Sequence, residues 1–495
     1  MSLSLPNFFI PFTYIIGFFI LFNFITNYNL KKSLFFSFLS GVSFSLFSFY
    51  WIVYAISYYG ELNLIVSSIL FSLFSIAYSS GTFLIFAFLL KLFYSRYRYR
   101  AMFLAPFLWV LLEFSREYFP FNGFPWNLSG YMLSYINPLA QSASIFSIYG
   151  LSFLVIFSSV SFFLLVKKRS HQHVVLFLFN VALFILLYLF GNSKIENYTE
   201  SGEKLKVAIV QGNIDESLKL KPTNEINREV IDKYTKIMKQ SLKEKPDLIV
   251  LPESAIPIYP YIETSLKEYF FQQIEDIKVP KIVGFDNVIL TSERDIDKVY
   301  NSVFLLDENN SYVDYYSKMK LVPFGEYTPF KMKVVEEIFT YLQGIDFMKG
   351  ESQKILIYNQ LKAVPLVCFE SIFPNFVSDF VLKGGNLIVN LTNDGWFGKT
   401  SGPYQHFEMA RIRAIENGVY LVRAANTGIS AFIDPVGKVR SHIPLMKEGY
   451  IAYQIPLQTT PTFFNIYRTY IYFTFIVVFL SLIGLFEVKC NTRKC

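Results

Sequence analysis

Cysteine is scarce in this chain of 495 residues: Cys368, Cys490 and Cys495 are all it has. Cys368 has no companion nearby, so a disulfide framework is excluded, and the spacing fits no metal site. A Gly-rich phosphate loop is also missing, which argues against a nucleotide fold. The formal charge of +7 is not gathered into a basic stripe, so nucleic acid is not an expected partner. No spacer or small-residue cleavage site follows the first apolar run, which therefore reads as a retained helix and not a removed signal peptide.

What the chain has in excess is apolar. It is 53% hydrophobic and 19% aromatic, with 55 Phe, far above globular usage. The excess is uneven. Residues 1–191 are apolar runs broken by short polar loops, and 192–466 read as a soluble α/β protein opened by a polar linker at 192–205. Segments near 7–28, 33–56, 62–93, 101–118, 142–166 and 174–189 are each long enough to cross a bilayer as a helix, and 470–486 makes a seventh, the requirement being about 17–25 residues. Basic residues orient them. Lys31 and Lys32, Arg96, Arg98 and Arg100, Lys167 to Arg169, and Lys489, Arg493 and Lys494 fall in alternate loops, while 57–63 and 119–135 carry no Lys or Arg. The positive-inside rule then puts 192–466 outside the cytoplasm. Three regions are expected: a bundle of about six helices over 1–191, a catalytic domain over 192–466, and a helix with a basic tail over 467–495.

In the soluble region, strands are expected at 205–214, 247–251, 281–286, 301–307, 312–318, 361–369, 386–392 and 419–423, with helices at 225–243 and 405–417. The alternation suggests a layered α/β sandwich. Three chemically active side chains sit at strand ends, where distant parts of an α/β chain converge: Glu253, Lys318 and Cys368. A thiol needs a base to become a nucleophile, and a carboxylate in a dry pocket can serve. An ammonium beside them would stabilise the thiolate and an oxyanion. Each also has a plainer reading: Cys368 as a small buried hydrophobe, Glu253 as a charge at a helix start, Lys318 as a surface cation.

The stretches VLPESAIP (250–257), KMKLVPFGE (318–326), CFESIFP (368–374) and NLTNDGWFG (390–398) together resemble the nitrilase superfamily. With the membrane flanks, nearly the whole chain is similar to the apolipoprotein N-acyltransferases. The resemblance implies a nitrilase-like α-β-β-α sandwich inserted before the last transmembrane helix, in a bacterial inner membrane with the catalytic domain on the periplasmic side. It implies Glu253 as general base, Lys318 as oxyanion-stabilising cation and Cys368 as nucleophile, with Glu326, Glu370 and Trp396 in support and no cofactor or metal. Glu326 and Glu370 read equally as ion-pairing scaffold, and Trp396 as core packing. His406, Arg411, Arg413 and Glu416, on one helix, read as scaffold ion pairs.

The implied activity is acyl transfer from a phospholipid, with phosphatidylethanolamine the expected donor, to the N-terminal diacylglyceryl-cysteine of an apolipoprotein through a thioester on Cys368. Moving an acyl chain into water costs about 0.8 kcal/mol per CH₂, so membrane helices suit such substrates. Trp126, in the apolar loop 119–135, is expected at headgroup level as an interfacial anchor or a lining of lipid entry. Glu113 and Arg116, one turn apart, are expected to pair within their helix or meet a headgroup. Three departures from the family stand out: Phe369 where Tyr is usual, Leu220 where Trp is common, and seven membrane helices where eight are common, which leaves either a helix ahead of Met1 or a shorter bundle. The rivals are a membrane-tethered amidase of nitrilase type, which would not need so many helices, and a transporter or sensor, which would need ionisable residues along its helices.

Overall fold

The computed structural model describes residues 1–60, 62–220, 222–292, 295–329, 346–457 and 461–492. The side chains of Tyr59, Lys219, Leu220 and Thr492 lie outside this description, as do Arg493, Lys494 and Cys495 of the expected basic tail. The chain forms two compact units, one helical and one α/β, with the α/β unit running from Thr199 to Pro461.

The helical unit contains α1 (Thr13–Asn27), α2 (Leu30–Ser48), α3 (Leu64–Ser79), α4 (Ile85–Tyr97), α5 (Ala105–Ser115), α6 (Ala143–Lys168), α7 (His171–Glu196) and α12 (Phe463–Thr492). Among the described residues, four helical stretches are long and apolar enough to cross a membrane: Leu64–Ser115, Ala143–Lys168, His171–Glu196 and Phe463–Asn491. The pair Leu30–Ser48 and Trp51–Tyr58, bent by 57°, makes a fifth if taken as one span. The 52-residue stretch holds two of the expected segments, because Arg98, at φ 52°, breaks the helix between α4 and α5. The segment expected at 7–28 is shorter as a helix, only 15 residues. Helix α7 runs on to Glu196, so the expected linker shrinks.

Small residues let the helices approach. Ser33, Ser37, Gly41, Ser45 and Ser48 line one buried face of α2, where a Cβ on Gly41 would meet Ser79 Oγ at 2.2 Å. Ser45 donates to Ser75 Oγ at 3.1 Å, as expected where helices meet in lipid without a hydrophobic drive. The basic loops gather at one end: Lys91 donates to the carbonyl of Ile25, Lys168 lies 3.9 Å over the Tyr99 ring, and Arg96 pairs with Glu487.

Two expectations for this unit need correction. Glu113 and Arg116 neither pair with each other nor wait for a headgroup; both are spent on the loop that follows α5. Glu113 Oε1 accepts from Trp109 Nε1 at 2.9 Å and from the Ser129 amide at 2.7 Å. Arg116 donates to the carbonyls of Phe124 and Trp126 and stacks on Tyr78. Trp126 is consequently 1% exposed, packed 5.0 Å from Trp51 and stacked on Phe124. It is core, not an interfacial anchor.

In the α/β unit, among the described residues, two six-stranded sheets run β12-β1-β2-β3-β4-β5 and β11-β10-β9-β8-β7-β6. The first holds β1 (Glu203–Gln211), β2 (Leu248–Val250), β3 (Lys281–Leu290), β4 (Ile296–Leu306), β5 (Tyr312–Ser317) and β12 (Gly449–Leu457). The second holds β6 (Leu356–Tyr358), β7 (Leu361–Val367), β8 (Leu387–Thr392), β9 (Tyr420–Ala425), β10 (Ser430–Ile433) and β11 (Val439–Ile443). Helices α8 (Asn224–Ser241) and α9 (Ser265–Gln273) cover the first sheet, burying Ile231, Tyr234, Met238 and Phe270 against Ala208, Ile249, Val283 and Phe285. Helices α10 (Pro374–Leu382) and α11 (Gly402–Asn417) cover the second, and β1 and β9 face each other across the middle. The result is the expected α-β-β-α sandwich. Strands β7, β8 and β9 are parallel, so their carboxyl ends open on the same side. That side carries the chemistry.

Candidate active site

Each of the three strand-end residues follows its strand by a few positions at most; β2 is buried throughout and β7 nearly so, while β5 has one face exposed. Glu253 follows β2 and is 8% exposed, Lys318 follows β5 and is 1% exposed, and Cys368 follows β7 and is 8% exposed. The site is nearly dry, so its charges act strongly on one another.

Lys318 Nζ lies 2.7 Å from Glu326 Oε1 and 3.5 Å from Glu253 Oε1. Asn301, on β4, donates from one Nδ2 to Glu253 Oε1 at 2.8 Å and to Glu326 Oε1 at 3.3 Å. Its carbonyl accepts from the Lys318 amide at 2.8 Å. Two carboxylates thus share one ammonium and one amide. Burial works to lower the Lys318 pKa, but Glu326, then Glu253 and Cys368, outweigh it, and the net direction is up. The cation is permanent at any physiological pH.

The Cys368 thiol is pushed well up, first by burial and then by the charge of Glu253, against the opposing effect of Lys318. Its resting form is therefore the thiol; Thr392, nearby, donates its hydroxyl to Asp394 Oδ1 at 3.2 Å. Cys368 takes φ 48°, a left-handed conformation that costs a non-glycine residue about 1–3 kcal/mol and is typical of functional turns. A short 3₁₀ turn, Cys368–Ile372, leads away from it.

Glu370 does not touch Lys318 through any contact the structure gives. It holds backbone. Oε1 accepts from Tyr316 Oη at 2.6 Å and from the amides of Met319 and Lys320 at 2.7 and 3.1 Å, and Oε2 accepts from the Val367 amide at 2.8 Å. One carboxylate therefore ties the segment after Lys318 to the residue before Cys368. Burial raises the pKa of both Glu370 and Tyr316. Glu326 also grips its own loop, with Oε2 accepting from the Val322 amide at 2.8 Å.

Trp396 is half-buried on the turn Asp394–Phe397, so it is not simple core. Phe369 is buried and packs edge-on against Phe373. Of the expected scaffold pairs, Arg413 meets Glu416 at 3.0 Å, and Arg411 pairs with Glu408. His406 faces Asp394 at 2.8 Å, on another element, and in addition lies 3.0 Å from the Cys368 carbonyl. Arg423, on β9, donates to Asp394 Oδ2 at 2.8 Å. Burial alone would raise Asp394, but Arg423 and His406 hold it down at about 2. Sequence reasoning missed Asn301, Thr392, Asp394 and Arg423. The available signal was polar residues inside otherwise apolar strands, such as Asn301 in YNSVFLL and Arg423 in YLVRAA.

A sandwich of this topology with a Glu, a Lys and a Cys at converging strand ends defines a carbon–nitrogen hydrolase domain, here in a chain with membrane-spanning helices. A family model described as carbon-nitrogen hydrolase matches residues 206–463, and one described as the apolipoprotein N-acyltransferase N-terminal domain matches 1–161. The apolipoprotein N-acyltransferase of Geobacter metallireducens is 35% identical over 428 residues, covering 84% of this chain and 80% of that protein. That of Aquifex aeolicus is 35% identical over 358 residues, covering 71% and 76%. Saccharomyces cerevisiae Nit3, a solved member of branch 10 of the nitrilase superfamily, is 18% identical with a TM-score of 0.41, covering 54% of this chain and 97% of that one. The chain belongs to the apolipoprotein N-acyltransferase family, membrane-bound acyltransferases of the nitrilase superfamily.

Proposed function

We propose that this protein N-acylates the N-terminal diacylglyceryl-cysteine of apolipoproteins, using a phospholipid donor and a thioester on Cys368. The observation that carries the reading is the convergence of Glu253, Lys318 and Cys368 in a dry site of a chain from this family. Glu253 takes the Cys368 proton as Sγ attacks the sn-1 ester carbonyl carbon. The carbonyl electron pair moves to oxygen, and the Lys318 ammonium holds that oxyanion, a contribution of about 3–4 kcal/mol in comparable sites. Collapse expels the glycerol oxygen, which takes the proton from Glu253 and leaves as lysophospholipid. The amine of the acceptor then attacks the thioester, gives a proton to Glu253, and forms the amide. Sulfur leaves and regains that proton as the thiol.

Because the resting thiol is neutral, proton removal belongs to the attack itself, and the base must stay beside the sulfur. Glu326 and Asn301 serve this by dividing Lys318 and Glu253 between them. Glu370 fixes the two loops, and Trp396 shapes the pocket. The bacterial inner membrane is the proposed location, with the catalytic domain on the periplasmic side, and phosphatidylethanolamine the proposed donor. The test is to incubate purified protein with phosphatidylethanolamine and look by intact mass for an acyl adduct that hydroxylamine removes. The adduct is expected on the wild type and absent from Cys368→Ala; an adduct that persists in that variant removes Cys368 from the role.

A further inference from the structure

The geometry points to His406 as a positioning residue for Cys368, acting through the cysteine's own carbonyl. His406, on α11, is fully buried. Its Nε2 lies 3.0 Å from the Cys368 carbonyl oxygen, and Ser371 Oγ donates to the same oxygen at 2.9 Å. A carbonyl oxygen can only accept, so Nε2 carries a hydrogen and donates it there. On the other side of the ring, Nδ1 accepts from Arg423 Nη2 at 3.1 Å, and Asp394, 2.8 Å from the ring at Oδ1, is clamped by the same guanidinium through Oδ2. Arg423 and His406, with Asp394 holding the guanidinium in place, thus link β9 to the backbone of the nucleophile.

What it secures is a conformation the chain does not adopt freely. Cys368 stands at φ 48°, and such a residue persists only where its surroundings over-determine it. Two donors on one carbonyl oxygen fix the peptide plane after Cys368 and hence the direction of its Cα–Cβ bond. Losing His406 frees that plane to relax. Sγ would then move relative to Glu253 and Lys318, and a displacement of about 1 Å costs on the order of 10²-fold in rate. His406 touches neither sulfur nor substrate; its effect passes through the backbone.

The inference rests on Cys368 being the nucleophile, and it is tested without any lipid. The full chain in detergent is treated with iodoacetamide, and alkylation of the Cys368 peptide is followed by mass spectrometry in His406→Gln and His406→Asn. A glutamine amide nitrogen stands where Nε2 stood and can still donate to the carbonyl; an asparagine nitrogen reaches only the Nδ1 position. Alkylation is expected to slow less than about tenfold in His406→Gln and about 10²-fold in His406→Asn, at matched thermal stability. Equal rates in the two variants overturn the proposal, because a merely structural histidine would not discriminate between them. If neither variant yields a folded, monodisperse protein, Ser371→Ala removes the other donor to the same oxygen at small cost. Slowed alkylation there supports the assignment, and an unchanged rate overturns it. Absence of acyl transfer in the wild type, with the Gln–Asn contrast intact, would count against the proposed function alone.

Discussion

Glu326→Gln tests whether the lysine must be shared. The substitution keeps shape and hydrogen-bonding capacity and removes one charge. Two unit charges at an effective dielectric of about 20 attract by about 6 kcal/mol at 2.7 Å and about 5 kcal/mol at 3.5 Å, the separations of Lys318 from Glu326 and Glu253. With both carboxylates present the ammonium is held nearer Glu326, at 2.7 Å, than Glu253, at 3.5 Å. Without Glu326 the anion left in contact with Lys318, among the described residues, is Glu253. Lys318 would close onto it and occupy the base, and the oxyanion would meet a displaced cation. Removing one partner of a buried pair costs about 3–5 kcal/mol. If that loss is expressed in the transition state, acylation slows by between about 10²-fold and about 5 × 10³-fold. The assay is single-turnover formation of the acyl adduct on Cys368, read by intact mass, beside the thermal midpoint. A rate within threefold of wild type in a folded protein refutes the shared-lysine argument.

Other substitutions probe the frame around this centre. Gly284→Ala is expected to cut acylation at least tenfold with secondary structure intact by circular dichroism, because a Cβ there would lie 2.4 Å from the Pro252 carbonyl and 2.8 Å from Glu253 Cα, pushing the base off its position. Glu370→Gln places an amide nitrogen where the carboxylate accepted a backbone amide; unfolding by denaturant is expected to show a loss of about 1–3 kcal/mol, with faster hydrogen exchange at Val367 or Met319. Asp394 gives a pH signature. Its folded value, about 2, lies below the ordinary 3.8, so the ionised form adds about 2 kcal/mol above pH 4 that disappears as pH falls through about 2. Acid titrations of the wild type and Asp394→Asn should therefore converge at low pH; parallel curves would mean that Asp394 is not the titrating group.

The parts of this structure legible in the sequence are those that local pattern determines. Val364 to Val367 read as a buried strand from their apolar run, and the strand ends at Val367, two residues short of the expected 369 and directly before Cys368. Lys318 and Glu326 lie in one short stretch, and their pairing at 2.7 Å needs only a turn between them. Glu370 was legible as a residue and not as a role, because most of its partners are backbone amides, which every residue carries. Trp126 misled for a related reason. An aromatic residue in an uncharged loop fits headgroup level by composition, yet Glu113 and Arg116 fold that loop inward through backbone groups of Ser129, Phe124 and Trp126 itself. The three sequence-distant helpers, Asn301, Asp394 and Arg423, required sheet register. Asn390 pairs with Arg423, and no spacing rule along the chain places them together.

That dependence on backbone contacts bears on how the site works. A neutral thiol, a permanent ammonium and a carboxylate in a nearly dry pocket have little tolerance for motion, since each charge is felt at full strength and an unpaired one is costly. Side-chain packing alone cannot hold Cys368 in a left-handed turn, or keep Lys318 nearer one carboxylate than the other. Polar groups that grip main chain can: Glu370 at Val367, Met319 and Lys320, Glu326 at Val322, and His406 and Ser371 at Cys368. Each fixes the loop that carries a reacting group. A site assembled in this way should lose rate well before it loses fold when those grips are cut one at a time.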